Sequence, residues 1–371
     1  MVDLKQQYAN IKTEVNAALQ DVLDSAAFIQ GKPVADFAAH LARYLNVKHV
    51  VTCANGTDAL QISLMALGLE PGDEVITPSF TYVATTEVVA LLRLKPVFVE
   101  VDPKTFNIDP ASIEKVITPK TRAIVPVHLY GQAADMASIM DIARRNNLYV
   151  VEDNAQAIGA EYSFPDGKSK KTGTIGTIGT TSFFPSKNLG CYGDGGAMFT
   201  NDDQLAERLR IIANHGQTER YYHDVVGCNS RLDTMQAAIL DIKLKNLDNY
   251  IKARIRVADH YDRAFHNHPK ITVPFRAPYT NHVFHQYTLQ LNGVDRDGLN
   301  KWLADHDVPS MIYYPVPAHR QKMFEAFGGK NFELKVTDWL TERVISLPIH
   351  TEMDDEQLKH ITTSVLEYVN Q

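Results

Sequence analysis

Short apolar segments alternate with segments of helical spacing between residues 49 and 200. The apolar segments predict β-strands at residues 49–53, 74–77, 96–101, 122–127 and 148–152. The segments between them, which include residues 57–67 and 135–146, have the apolar periodicity of helices. This alternation predicts an α/β fold, with a mostly parallel sheet between two layers of helices. A ligand of such a sheet binds beyond the carboxyl ends of the strands.

The pattern changes in the last third of the chain. A long helix is predicted to begin near Asp233 and to run past Tyr261, and short strands and helices follow it. A length of 371 residues exceeds one ordinary domain. We therefore expect a large domain over residues 1–250, which includes an N-terminal helical segment, and a smaller α+β domain over residues 251–371.

Two interruptions lie between the predicted strands of the large domain. The dipeptide Asp166-Gly167 is a hairpin-turn signal. Glycines then recur with a period of three at positions 173, 176 and 179. This repeat predicts a tight passage of small residues that leads into a strand at residues 181–184.

Charge and cysteine content narrow the possible partners. The 37 basic and 44 acidic residues give a net charge of −7, which argues against a nucleic-acid binder. No apolar run approaches the roughly 18–20 residues that span a bilayer, and the polar start has no signal-peptide core. Three scattered cysteines cannot form a disulfide framework. We expect a reduced, cytoplasmic protein with no membrane or nucleic-acid partner.

No metal site is expected. The 14 histidines show no metal-ligand motif. His282 and His285 are three residues apart, and we interpret them as a surface pair.

A lysine follows an apolar strand and precedes a cluster of glycines. Residues 182–187 read SFFPSK, and residues 193–196 read GDGG. Burial would disfavour the ammonium form of Lys187, lower its pKa and make the amine a nucleophile. A Schiff base with an aldehyde cofactor requires such an amine. A surface lysine in a glycine-rich loop explains the same segment, and the segment alone does not decide between the two.

Other polar or aromatic residues occupy predicted strand ends. Asp153 could keep the ring nitrogen of pyridoxal phosphate protonated, or it could be a helix N-cap. Gly56 and Thr57 could present backbone N–H groups to a phosphate at a helix start, with Ser182 adding a hydroxyl. Tyr82 could stack on an aromatic cofactor, or it could pack in the core.

The order of these features along one α/β sheet is typical of a fold-type I pyridoxal-phosphate enzyme. Competing motifs are missing from the sequence. There is no P-loop and no dinucleotide-binding glycine fingerprint. Ser112 and Lys115 imitate the start of the penicillin-recognising serine motifs, but no Ser-Asp-Asn follows them.

Four segments resemble those of the nucleotide-sugar aminotransferases of the DegT/DnrJ type. They are NGTDAL at residues 55–60, PSFTYVAT at 78–85, EDNAQ at 152–156 and SFFPSK at 182–187. The resemblance extends over nearly the whole chain and implies pyridoxal 5′-phosphate as cofactor. It implies that Lys187 binds the cofactor covalently and shuttles the proton, that Asp153 pairs with the ring nitrogen, and that Gln156 contacts the ring hydroxyl. It also implies that Tyr82 stacks on the ring, and that the phosphate is held by Gly56, Thr57 and Ser182.

The resemblance further implies a homodimer with shared active sites. Asn229 matches the asparagine that reaches the phosphate from the neighbouring subunit. Some relatives carry histidine in place of the lysine and dehydrate sugars, so Lys187 favours transamination. A cofactor-binding regulator without turnover is the non-enzyme alternative, and no helix-turn-helix segment supports it.

Within the family, the chain is most similar to a subgroup that makes UDP-2-acetamido-3-amino-2,3-dideoxy-glucuronate. The resemblance implies the corresponding 3-keto sugar as substrate, L-glutamate as amino donor and a role in bacterial surface polysaccharide (O-antigen). Arg231 is the candidate ligand of a substrate carboxylate, unless it forms a structural ion pair.

The segment at residues 313–319 matches the family's substrate-side loop and adds Tyr313, Tyr314 and His319 as candidate substrate contacts. Tyr313 stands where the wider family has histidine, and Asn188 stands where many members have proline. These departures leave a dTDP-linked 3-keto or 4-keto deoxyhexose as the alternative substrate.

Overall fold

The computed structural model describes residues 1–371, and its largest unit is a seven-stranded sheet. The chain contains strands β1 (His49–Cys53), β2 (Glu74–Pro78), β3 (Lys95–Val99), β4 (Thr121–Ile124), β5 (Tyr149–Asp153), β6 (Glu161–Ser163), β7 (Ser169–Lys171), β8 (Ile178–Ser182), β9 (Gly196–Thr200), β10 (Gln217–Glu219), β11 (Tyr222–His223), β12 (Ile271–Thr272), β13 (Tyr287–Leu291) and β14 (Val344–Leu347).

The order of strands in the large sheet is β1-β9-β8-β5-β4-β2-β3. The four pairings from β3 to β8 are parallel, and β9 runs antiparallel to both β1 and β8. The α/β class with a mostly parallel sheet is therefore confirmed. Strands β1, β2, β4, β5 and β8 all point the same way, so their carboxyl ends meet at one edge.

Helices cover both faces of this sheet. They are α1 (Leu4–Ser25), α2 (Lys32–Leu45), α3 (Gly56–Ala66), α4 (Ala84–Leu91), α5 (Pro110–Glu114), α6 (Met136–Asn146), α7 (Asp203–Ala213), α8 (Thr234–Ala264), α9 (Arg296–Asp305), α10 (Lys335–Thr341) and α11 (Asp355–Val369), with 3₁₀ turns at Leu129–Gly131, Ala318–Arg320, Lys322–Phe327 and Gly329–Asn331. Consecutive strand residues alternate between the faces. Val75 therefore packs with residues of α3, α4 and α7, whereas Ile76 packs with α6.

A second sheet, β12-β13-β14, is antiparallel and packs with α9 and α11. The long helix α8 joins the two units. Leu240, Leu247 and Ile251 pack in a cluster with α2, whereas Val257 and Tyr261 pack in the core of the second sheet. We propose that the domain boundary lies within this helix, close to the predicted residue 250.

None of the helices is both long and apolar enough to cross a membrane.

Two of the predicted strands differ from the observed ones by three residues at one end. The strand predicted at residues 122–127 ends at Ile124, because Pro126 has no N–H group with which to extend the ladder. The strand predicted at residues 181–184 begins earlier, at Ile178, and ends at Ser182. The hairpin signal at Asp166-Gly167 is confirmed by the antiparallel pairing of β6 with β7.

The predicted passage of small residues is confirmed by close backbone contacts. A Cβ atom on Gly179 would lie 1.8 Å from the carbonyl oxygen of Gly173, and one on Gly176 would lie 2.7 Å from that of Val150. Both glycines thus allow the segment before β8 to lie directly against neighbouring backbone. A larger residue would displace the strand that ends at the candidate site.

The variant Gly179→Ala tests this contact. We expect it to lower the free energy of unfolding by about 3 kcal/mol, the upper end of overpacking penalties, because the methyl group meets backbone that cannot rotate away. The control Gly72→Ala has open space around its Cβ and only a positive φ of 94°, with an expected cost of about 1 kcal/mol. Urea denaturation measures both losses, and equal losses would contradict the prediction.

Candidate active site

A cavity of about 590 Å³ opens at the carboxyl edge of the central sheet. Its walls come from the segments that follow β1, β2, β4, β5 and β8 and from residues of the second unit. The volume is typical of a small-molecule or cofactor site. Nine of the predicted site residues line it: Gly56, Thr57, Tyr82, Asp153, Gln156, Ser182, Lys187, Tyr313 and Tyr314.

Lys187 lies in the tight loop that follows β8. Its backbone N–H donates to the Phe184 carbonyl oxygen at 2.9 Å, and its side chain faces the cavity rather than the outer surface. Burial lowers the pKa of Lys187 from its ordinary value to about 8, and the nearby Asp153 carboxylate opposes this shift only partly. A substantial fraction of the amine is therefore unprotonated near pH 8, as a nucleophile or general base requires.

Asp153 is the last residue of β5 and is buried at the bottom of the cavity. Its Oδ2 accepts a hydrogen bond from the Thr85 hydroxyl at 2.8 Å, and its Oδ1 accepts one from the Ala155 N–H at 3.1 Å. No helix begins here, so the alternative that Asp153 is an N-cap is wrong. The buried carboxylate is oriented by two fixed donors toward the space that Lys187 also faces.

The start of α3 forms an anion cup beside Ser182. Asn55 caps this helix by accepting from the Asp58 N–H at 2.8 Å. The N–H groups of Gly56 and Thr57 lie in the first turn, where no intrahelical acceptor is available. A Cβ on Gly56 would lie 2.6 Å from that of Ser182, so only glycine lets the helix start and the hydroxyl come together. This arrangement fits a phosphate group.

Gln156 and Tyr82 both line the cavity, and both lie near Tyr314. The Oε1 atom of Gln156 accepts from the Tyr130 N–H at 2.7 Å, and its Nε2 donates to the Tyr314 hydroxyl at 3.0 Å. One Nε2 proton stays free for a ligand. Tyr82 is 57% exposed, which contradicts the core-packing alternative, and its ring centroid lies 6.2 Å from that of Tyr314. An exposed aromatic face on the cavity wall suits a planar ligand.

His285 also lines the cavity, and the interpretation of His282 and His285 as a surface pair is wrong. Both side chains are buried. Burial and the charges of Lys187 and Arg254 hold the pKa of His285 well below its usual range, so the imidazole is neutral. Its Nδ1 has no hydrogen-bond partner within the chain. The spacing of the pair in the sequence gave no sign that one member faces the site.

Three predicted site residues do not reach this cavity within a single chain. Asn229 is exposed, and Arg231 lines a separate cleft with Arg210. Arg231 forms no ion pair, which contradicts the structural alternative for it. His319 is fully buried, with its Nδ1 atom 2.7 Å from the Ser79 hydroxyl, so it supports the loop instead of facing the cavity.

Residues 9–366 match the sequence model of the DegT/DnrJ/EryC1/StrS aminotransferase family. The UDP-2-acetamido-2-deoxy-3-oxo-D-glucuronate aminotransferase of Pseudomonas aeruginosa is 46% identical over 98% of this chain and 98% of its own length. A pleiotropic regulatory protein of Geobacillus stearothermophilus is 45% identical over 99% of this chain and 98% of its own. The dTDP-3-amino-3,4,6-trideoxy-alpha-D-glucose transaminase of Streptomyces venezuelae is 39% identical over 99% and 95%.

Solved structures show the same fold over the whole chain. Streptomyces venezuelae DesV in complex with a ketimine intermediate has a TM-score of 0.94 and 39% identity, covering 100% of this chain and 98% of its own. NtdA from Bacillus subtilis with bound cofactor PMP has a TM-score of 0.90 and 32% identity, covering 98% and 82%.

The variant Gly56→Ala tests the anion cup. We expect the dissociation constant for inorganic phosphate to rise about tenfold, because the methyl group forces the helix start away from Ser182 and loses about one charge-assisted hydrogen bond. The control Gly193→Ala meets only the flexible amide of Gln236, at 3.0 Å. Isothermal calorimetry measures both, and unchanged binding by Gly56→Ala would show that phosphate does not use this cup.

Proposed function

This chain belongs to the DegT/DnrJ/EryC1/StrS aminotransferase family, and from that membership we propose that it transfers the amino group of L-glutamate to UDP-2-acetamido-2-deoxy-3-oxo-glucuronate. It is a sugar aminotransferase that uses pyridoxal phosphate. The proposed product is UDP-2-acetamido-3-amino-2,3-dideoxy-glucuronate, for bacterial surface polysaccharide such as O-antigen.

The observation that carries this proposal is that Lys187 and Asp153 face one cavity which also contains an anion cup. The residues fit the cofactor at each end. Gly56, Thr57 and Ser182 would hold the phosphate, and Asp153 would hold the proton on the ring nitrogen. When bound, pyridoxal phosphate supplies a protonated ring that delocalises the charge left at a carbon that loses its proton.

Lys187 has two tasks in this scheme. Its amine would hold the cofactor covalently through the cofactor's aldehyde carbon, until the amino group of the donor replaces it. The free amine would then take the proton from Cα of the amino donor, and in the second half-reaction it would deliver a proton to the carbon of the keto sugar that gains the amino group. A pKa of about 8 suits both tasks, because the amine accepts and releases a proton near neutral pH.

Gln156 and Tyr82 would orient the ring. The free Nε2 proton of Gln156 is available to the ring hydroxyl, since the other amide contacts go to Tyr130 and Tyr314. Tyr82 offers its exposed face for stacking.

Sequence identity to relatives supports a UDP-linked substrate, and a dTDP-linked sugar remains the alternative substrate. The relative named for the UDP-linked 3-oxo-glucuronate is 46% identical, and the dTDP-linked one is 39% identical. The glucuronate carries a carboxylate in addition to its diphosphate, and Arg231 is the proposed ligand of that carboxylate. The rival substrate, a dTDP-linked deoxyhexose, has no such group.

The homodimer with shared active sites is supported by the hairpin of β10 and β11. Tyr221 is 78% exposed and Val226 is 84% exposed, and large apolar side chains exposed in this way are often covered by subunit contacts. Asn229 and Arg231 lie six and eight residues after the end of β11. We propose that the hairpin packs on a second copy and brings both residues to the partner's cavity.

Product analysis tests the substrate. We expect the purified enzyme with pyridoxal phosphate and L-glutamate to aminate the UDP-linked 3-oxo-glucuronate at least about tenfold faster than dTDP-linked keto sugars, since a bidentate arginine contact to the carboxylate contributes about 1.4 kcal/mol or more. Mass spectrometry of the nucleotide sugars measures this. The variant Arg231→Lys, which loses the bidentate contact, should narrow the preference.

A faster reaction with the dTDP-linked sugars would replace the substrate and leave the chemistry standing. A protein that binds the cofactor but converts no amino donor would instead favour a regulator without turnover.

Complementation tests the shared site. Lys187→Ala and Asn229→Ala are each expected to be impaired, the first by about 10²–10⁴-fold because its proton-transfer group is lost. In a random mixture, half of the dimers are mixed and each has one intact site, so about a quarter of the wild-type activity should return. Activity after refolding the variants together measures this. No recovery of activity would contradict the proposal that the site is shared through Asn229. The control mixes Lys187→Ala with Lys171→Ala, a substitution outside the cavity, and shows how much activity the refolding itself restores.

A further inference from the structure

Two buried threonines form a chain of hydrogen bonds that ends on Asp153. The Thr81 and Thr85 hydroxyl oxygens lie 3.0 Å apart, and the Thr85 hydroxyl lies 2.8 Å from Oδ2 of Asp153. The three residues are only 4%, 1% and 6% exposed. We propose that Thr85, supported by Thr81, is a positioning residue that sets the direction of the Asp153 carboxylate toward the cofactor ring. This inference rests on the proposed function, since it concerns the same site.

The donor and acceptor in each of these hydrogen bonds follow from the number of hydroxyl protons. A carboxylate can only accept hydrogen bonds, so Thr85 uses its single hydroxyl proton in the hydrogen bond to Asp153. The oxygen of Thr85 can then only accept, so Thr81 must be the donor in the pair of threonines. Thr81 lines the cavity, whereas Thr85 does not. The hydrogen bonds therefore run from Thr81 on the cavity wall, through Thr85 outside the cavity, to the Asp153 carboxylate, which also lines the cavity.

This arrangement holds each carboxylate oxygen with a different donor. Ala155 donates to Oδ1 from the backbone, and Thr85 donates to Oδ2 from α4. With both oxygens held, the carboxylate plane cannot rotate freely. The remaining lone pairs are directed by the fold and not by the ligand, so the acceptor of the ring N–H is present before the cofactor binds.

A threonine in the first turn of a helix can donate its hydroxyl proton to a backbone carbonyl oxygen a few residues away. The neighbour Thr86, also buried, donates to the Val83 carbonyl oxygen at 2.9 Å, three residues back in the same chain segment. Thr85 instead contacts a side chain 68 positions away. The two residues share helix, residue type and burial but differ in partner, which makes Thr86 a matched control.

The test compares Thr85→Val, Thr85→Ser and Thr86→Val with the wild type. Each apoprotein is titrated with pyridoxal phosphate by absorbance, and each holoprotein is then titrated with pH to find the midpoint of its absorption change. We expect Thr85→Val to raise the dissociation constant about tenfold, the weight of one hydrogen bond to a charged acceptor. We also expect its midpoint to move, because the carboxylate beside the ring is no longer held.

Thr85→Ser keeps the hydroxyl and should stay within about twofold of the wild type. Thr86→Val should lose thermal stability but keep the wild-type dissociation constant and midpoint. Wild-type values in Thr85→Val, or equal losses in Thr85→Val and Thr86→Val, would overturn the positioning role. If Thr85→Val does not fold, Thr81→Val removes only the outer donor, and an unchanged midpoint in that variant would overturn the proposal.

Failure of the proposed function is distinguishable from failure of this inference. Wild-type apoprotein that binds no pyridoxal phosphate would contradict both the proposed function and the positioning role of Thr85. Wild-type protein that binds it with an unaffected Thr85→Val would remove the inference alone.

Discussion

The position of Asp153 in the candidate active site depends on the buried charge of its neighbour, Glu152. This carboxylate accepts from the N–H groups of Gly173, Ile175 and Gly176 at 2.6–2.8 Å and from Nε2 of His128 at 2.8 Å. Nδ1 of His128 accepts from the Ala134 N–H, so Nε2 carries the proton. These donors hold the pKa of Glu152 below its usual value despite burial. Since strand residues alternate between faces, a fixed Glu152 also fixes the side on which Asp153 emerges.

A lowered lysine pKa alone does not identify the reactive amine in this chain. Burial lowers the pKa of both Lys187 and Lys243 to about 8. Lys243, however, donates to the Gly190 carbonyl oxygen at 2.7 Å and lies 4.7 Å from the ring centroid of Tyr192, so its ammonium is already used. It supports the loop that carries Lys187. The distinction comes from position: Lys187 follows a strand end and faces the cavity, whereas Lys243 is buried on α8 against Gly190 and Tyr192.

The sequence allowed prediction of those site residues whose role is indicated by the residues next to them in the chain. Lys187 follows a strand, Asp153 ends one and Gly56 begins a helix, so short segments were sufficient to place them. Thr85 was missed because its partner lies 68 residues away, and nothing in a threonine at a helix start indicates which oxygen it meets. His285 was misinterpreted for the same reason: its burial depends on Gly131, whose missing side chain leaves room for the backbone of residues 284 and 285. Contacts between distant segments are set by the completed sheet and not by local pattern.

The charges of the cavity support a site completed by a second subunit. Lys187 is the only cationic side chain in the walls, because His285 is neutral, while Asp153 and Asp194 are acidic. A phosphate in the cup is bound by N–H groups and a hydroxyl, which add no net charge. The proposed sugar substrate brings a diphosphate and a carboxylate, and burying these anions without cations would be costly. Arg231 forms no ion pair in its own chain, lines a separate cleft and follows a hairpin that exposes several large apolar side chains. In the proposed dimer, the guanidinium of Arg231 would come from the second copy and add a cation to a cavity whose walls contain only one.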